Sequence, residues 1–180
     1  MSWIETSNGN RISKDSTISG SNRILLSGNT TVHAGVVLKG DVPLASQDSE
    51  KVTSSIQIGK YSYLNQGCII EPPVVSVGTT SKVYGPVRIG SYVIVGTNTE
   101  ISSASIGNRV LIEDNCKLGN LSIIYDCCYI REGCVVPPRT VIPPFSEVSG
   151  TPGIDFAIKS LNNSYRKLIE VEAREKYILG

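Results

Sequence analysis

The sequence predicts an all-β chain wound as a parallel β-helix of hexapeptide repeats and closed by a C-terminal α-helix. Three observations predict it. Aliphatic residues recur every six positions through Ile106, Ile112, Leu118, Ile124, Ile130, Val136, Ile142, Val148 and Ile154. The fifth position of each hexad is small, as in Ser62, Cys68, Thr99, Cys116, Ser122, Cys128, Cys134 and Ser146. After Gly150-Thr-Pro-Gly153 the six-residue period gives way to an apolar stripe at helical spacing. A period of six fits neither the 3.6 of an amphipathic helix nor strand alternation, so each unit must be a short strand plus a corner.

The repeat runs through residues 1–154. Its first stretch reads Ile12, Ile18, Ile24, Thr30, Val36 and Val42, in which only Thr30 is not aliphatic; Ile58, Leu64, Ile70 and then Ile89, Val95, Ile101 continue it. Three hexads make one triangular coil, so residues eighteen apart stack at about the 4.8 Å strand separation, giving roughly seven coils. Glycine follows the aliphatic residue at Gly59, Gly90, Gly96, Gly107 and Gly119, which implies either unusual backbone angles or close packing there. The left-handed sense is implied by resemblance to hexapeptide proteins, because general crossover rules favour the right hand.

Two insertions interrupt the register. Residues 43–57 begin with the polar run Pro43-Leu-Ala-Ser-Gln-Asp-Ser-Glu-Lys51 and read as a protruding loop; residues 71–88 carry Val74, Val75, Val77 and Tyr84 and read as an ordered excursion such as a hairpin. Insertions in repeat proteins project from the stack and commonly carry binding surfaces. Pro137-Pro138 and Pro143-Pro144 recur at one position of successive hexads, where missing amide donors stop the stack and discourage edge aggregation. The segment 155–180 reads as a helix capped by Asp155 and running to about Tyr177. Ile158, Leu161, Tyr165, Leu168 and Ile169 lie on one face and pack back on the coils.

A net charge of +1 gives no electrostatic reason to expect nucleic acid. The first ten residues lack the cationic and apolar blocks of a signal peptide, and no stretch approaches a membrane-spanning length. Of five cysteines, Cys68, Cys116, Cys128 and Cys134 occupy small interior positions and read as reduced core thiols. Cys127 points outward along a strand, and no Cys-x-x-Cys occurs, so no zinc site is expected.

Specific segments go beyond the period. They are Trp3-Ile-Glu-Thr6, Gly9-Asn-Arg-Ile-Ser13, Gly20-Ser-Asn-Arg-Ile-Leu-Leu-Ser-Gly28, Leu38-Lys-Gly-Asp41 and Ile106-Gly107 near Ile112-Glu-Asp-Asn-Cys116. Val135-Val-Pro-Pro-Arg-Thr-Val-Ile-Pro-Pro-Phe145 then leads into Ser149-Gly-Thr-Pro-Gly153. This combination resembles the family of the smaller hexapeptide-repeat subunit at the pointed end of dynactin. Lys39, where relatives usually carry arginine, and the polar loop after Val42 depart from the pattern.

The resemblance implies a non-enzymatic, structural and adaptor subunit without a cofactor or metal. Its implied partners are a second hexapeptide-repeat subunit, an actin-related protein and dynein cargo adaptors on endosomes. The implied location is the cytoplasm and cytoskeleton, with membranes reached only through partners. Charged groups expected on faces or corners, where they could tune contacts, are Lys39, Asp41, Glu71, Arg88, Arg109, Glu113, Lys117, Arg131 and Glu132. Lys39 and Asp41 read as an interface pair or a local ion pair.

The rival reading is a hexapeptide-repeat acyltransferase with His33, the only histidine, as general base. His33 lies within a regular early coil and reads as a solvent-facing structural residue. A third reading is a self-assembling module of three prisms. A γ-class carbonic anhydrase is excluded, since its zinc takes three imidazoles.

Overall fold

The computed structural model describes residues 2–45 and 54–180. The chain winds as a left-handed β-helix with three flat faces. One face has nine strands, running from Trp3–Glu5 and Arg11–Ser13 at the N-terminal end to Ser146–Ser149 and Ala157–Ser160 at the other; the other two have six each. Within every face the coil strands pair in parallel. On the nine-stranded face Trp3–Glu5 and Ala157–Ser160 add antiparallel at opposite ends.

The eighteen-residue column assigned from the hexads appears as the register Ile112↔Ile130↔Val148. Isoleucines, leucines and valines from all three faces fill the interior, with Leu64, Ile112, Ile130 and Val148 fully enclosed. The small positions line the same interior, and Ser62, Thr99 and Cys116 are buried there. Their polar atoms are satisfied locally: Ser62 Oγ donates to Gly90 O at 2.9 Å, and Thr99 Oγ1 to Glu113 O at 2.9 Å.

Of the two alternatives for the repeated glycines, close packing is the one found. None of Gly59, Gly90, Gly96, Gly107 or Gly119 has positive φ. A Cβ on Gly119 would sit 2.5 Å from Pro138 N of the next coil. The left-handed backbone falls instead on other corner residues, including Tyr61, Tyr92, Arg109, Cys127 and Phe145. Asn and Asp side chains brace a corner against the coil before it: Asn108 Oδ1 accepts from Ser91 N, and Asp126 Oδ1 from Asn108 N, both at 2.8 Å.

Four features differ from the sequence expectation. The register of the early stretch is displaced by two residues: Ile12 stacks on Val32 and Ile18 on Leu38, not on Thr30 and Val36. Thr30 and Val36 take the small interior position, and both are buried. Ile154 does not continue the ladder; it is 83% exposed in a turn between Gly150 and Phe156. The C-terminal helix spans Tyr165–Leu179 and begins ten residues later than Asp155, because Ala157–Ser160 first forms a strand. Asp155 instead closes the preceding turn, its Oδ1 accepting from Thr151 N at 2.7 Å. Cys127 is a buried corner residue with φ 59°, not an outward strand position.

The second insertion folds as a hairpin of Val74–Val77 and Lys82–Tyr84. Asn120 pins it to a later corner, accepting from Val74 N at 2.8 Å and donating to Val74 O at 2.9 Å. Most of the first insertion, residues 46–53, lies outside the described residues. Its start pairs with the hairpin, Tyr84 N donating to Pro43 O and Ala45 N to Tyr84 O at 2.9 Å each, so the two insertions share one outgrowth.

Candidate functional site

The two ends of the prism differ. At the C-terminal end the last interior residues, Val136, Ile142 and Val148, are at most 1% exposed, and Phe156 packs against the core cluster that contains them. At the N-terminal end Ile12, Ile18, Ile24 and Leu26 are only partly covered. Thr17–Ser19 and Ile24–Leu26 are edge strands there, with Ile4 49% and Leu25 50% exposed beside them. Pro137-Pro138 and Pro143-Pro144 follow the edge strands Val135–Val136 and Val141–Ile142 at the opposite end. The uncapped end is a feature that reading the hexads missed, because Ile12, Ile18 and Ile24 fit the aliphatic period as well as the enclosed residues do.

The helix lies along the nine-stranded face. Fifteen residues at about 1.5 Å each give about 22 Å, close to five rungs at about 4.8 Å. Tyr165 meets Tyr129 near one end, and Arg11 Nη1 donates to Tyr177 O at 2.7 Å near the other. The helix's own Ile169 and Ala173 are buried against that face. Tyrosines and arginines form the joint: Tyr61 and Tyr92 stack at 5.7 Å on neighbouring corners, and the Arg174 guanidinium sits 5.2 and 5.3 Å from their centroids. Arg109 Nε donates to Glu170 Oε2 at 3.0 Å, holding that carboxyl below its ordinary pKa.

The nine charged candidates occupy all three faces. Arg109, Glu113, Arg131 and Glu132 lie on or beside the helix-bearing face. There Arg131 Nε donates to Glu147 Oε1 at 2.7 Å, its Nη1 is 4.0 Å from Glu113 Oε1, and Glu113 accepts from Glu132 N at 3.2 Å. On a second face Lys39 pairs with Glu71 at 3.4 Å rather than with Asp41, and Lys117 stands beside Glu100 of the adjacent rung. On the third, Arg88 donates to Gln57. The Lys39–Glu71 pair is well exposed and stabilises by about 0–1 kcal/mol.

His33 is not solvent-facing. It is buried on the helix-bearing face, its Nε2 2.5 Å from Tyr63 Oη and its ring 5.4 Å from Trp3. Burial, and then the Lys176 charge, push its pKa below the usual imidazole value. Nδ1 has no partner among the described residues. An imidazole so enclosed has no open side for an acceptor substrate.

All five cysteines are free and buried. Burial drives the thiols of Cys68 and Cys134 up to about 12 and those of Cys116 and Cys128 up to about 11, so none is a ready nucleophile. Among the described residues no cluster of His, Cys, Asp and Glu could hold a metal ion, and no helix is long and apolar enough to cross a membrane.

Solved structures similar in fold include a hexapeptide transferase family protein from Anaplasma phagocytophilum, with TM-score 0.66, 15% identity and coverage of 94% of this chain and 90% of that one. A perosamine N-acetyltransferase from Caulobacter crescentus, solved with CoA and GDP-perosamine, gives TM-score 0.59 at 18% identity over 84% of this chain and 56% of that one. At such identities the likeness shows the hexapeptide β-helix alone. A relative from Dictyostelium discoideum, Dynactin subunit 5, is 40% identical over 106 residues, covering 59% of this chain and 48% of its own length. The match thus spans about half of that relative. The family model of Dynactin subunit 5 matches residues 1–177, nearly the whole of the rigid prism and its helix, and the chain belongs to the dynactin subunit 5 family.

Proposed function

We propose that this chain is a non-catalytic structural and adaptor subunit of the dynactin pointed-end complex. It pairs there with a second hexapeptide-repeat subunit, sits with an actin-related protein and supports dynein binding to endosomal cargo. Its place of action on this reading is the cytoplasm and cytoskeleton, with membranes reached through partners. The observation that carries the reading is the uncapped N-terminal end. A β-helix whose last interior residues are sealed at one end and half-open at the other is suited to stacking against one further prism. The charged candidates tune contacts around this core rather than forming one site.

The acyltransferase alternative asks His33 to accept a proton from a bound acceptor. Its ring is instead packed against Trp3 and Tyr63, with Nε2 engaged by the Tyr63 hydroxyl. The test is co-purification of the tagged chain with the second hexapeptide-repeat subunit, using a double variant Ile4→Arg and Leu25→Arg. Both positions are half-exposed, so folding and the melting temperature should hold while pairing is lost. Pairing that survives the double variant, or a homotrimer with acyl transfer lost in His33→Ala, contradicts the proposal.

A further inference from the structure

Along one flank of the helix, opposite the flank that carries Arg166 and Arg174, runs a groove that the fold leaves uncovered. It is a cleft of about 530 Å³ walled by Tyr165, Leu168 and Val171 of the helix and by Leu111 and Tyr129 of the coils. A second cleft of about 320 Å³ continues it and shares Leu111, Glu113 and Glu172. Leu168 is 59% exposed and Val171 38%, although half-turns of the same helix bury Ile169 and Ala173 completely. Leu168, Val171, Glu172 and Glu175 stand at i, i+3, i+4 and i+7, so they form one row. Two apolar side chains in that row face solvent, with two carboxylates beside them.

The charge around the groove is one-sided. Glu113, Asp114, Glu132, Glu172 and Glu175 border it, and Lys176 is the one cation in its lining. Arg131 is nearby, but Glu147 holds it at 2.7 Å. In a chain of net charge +1 this is a marked local excess of negative charge over an apolar floor. We infer that the groove docks a basic amphipathic helical segment of a partner protein, with aliphatic side chains on Leu168, Val171 and Tyr129 and Lys or Arg against the acidic border. Helix-in-groove recognition uses apolar anchors at i, i+3, i+4 and i+7, and complementary charge around the rim fixes orientation and excludes wrong partners. The row from Leu168 to Glu175 spans about 10 Å, which suits two to three turns of such a segment. Anionic membrane, and a second copy of this chain docked groove to groove, are both disfavoured, since each would bring negative charge against negative charge. The surface is separate from the N-terminal end, so this inference stands or falls independently of the pairing.

The test uses the full chain and two labelled 18-residue helical peptides with the same leucine face, one carrying lysine and the other glutamate at every polar position. Fluorescence anisotropy should show binding of the lysine peptide that weakens with salt, and at least about tenfold weaker binding of the glutamate peptide. The variants Val171→Arg and Glu172→Lys with Glu175→Lys should each weaken the lysine peptide by about tenfold or more, while Lys117→Glu on another face leaves it unchanged. Circular dichroism checks that each variant keeps its fold. Equal affinity for both peptides, lysine-peptide binding indifferent to the groove variants, no binding up to about 1 mM, or tighter association with phosphatidylserine vesicles than with the lysine peptide would each overturn the inference.

Discussion

Ile130 and Ile154 fall at the same six-residue spacing in the sequence and are the same side chain, yet truncation to alanine should affect stability very differently. Ile130 is 0% exposed and stacked between Ile112 and Val148, whereas Ile154 is 83% exposed. Ile130→Ala removes three buried carbons, about 2.4 kcal/mol at about 0.8 kcal/mol each. The cavity then stays open, because ladder bonds such as Glu113 N to Ile130 O at 2.9 Å and Arg131 N to Val148 O at 2.9 Å hold the rungs in place. The total should be about 3–5 kcal/mol, against less than about 0.5 kcal/mol for Ile154→Ala. Urea unfolding followed by circular dichroism, with midpoints compared at unchanged slope, measures both. A cost below about 1 kcal/mol at Ile130, or costs at the two positions that match, would refute the assignment of the interior column.

Gly119→Ala should destabilise by more than about 1 kcal/mol, because the new Cβ meets the backbone of Pro138 rather than a side chain that can move; thermal melting checks it. His33 has a depressed folded pKa, so the unfolded state binds more protons once pH falls below about 6.5. Stability should therefore be fully present above about pH 6.5 and drop on acidification from there down through the lower folded value. A His33→Gln variant should lose this part of the pH dependence, and an identical slope for both proteins would contradict the burial of His33. The thiols of Cys68 and Cys134, pushed up to about 12, should resist an aromatic disulfide reagent at pH 8 in the native protein and react only on unfolding; rapid native reaction at either position would contradict their burial.

The coils from Ile58 to Val148 are legible in the sequence because the repeat is set by packing: an inward aliphatic, a small neighbour and a glycine pressed against the next rung. The early slip is not legible for a related reason. Side chains alternate with period two, so a displacement of two residues keeps aliphatics facing inward, and Ile12 over Val32 looks as plausible as Ile12 over Thr30. Thr30, the single polar residue in the aliphatic column, was the one sign of it. Ile154 and the delayed helix share a cause. Gly150, at φ 85°, and Gly153, at φ 81°, reverse the chain, and pairing of Ala157–Ser160 with Ser146–Ser149 outweighs helix propensity after Asp155. The environment of His33 depends on Trp3, Tyr63 and Lys176, which are far apart in sequence and meet only when the N-terminal strand and the C-terminal helix close over one face.

Lysine crosslinking and mass spectrometry of the assembled complex would locate the end of the prism that meets the second hexapeptide-repeat subunit. Lys14, in the first coil, and Lys159, in the last strand, mark the two ends. Lys14 should crosslink to the second hexapeptide-repeat subunit, and Lys159 should not. Crosslinks to that subunit from Lys159 alone would contradict pairing through the N-terminal end.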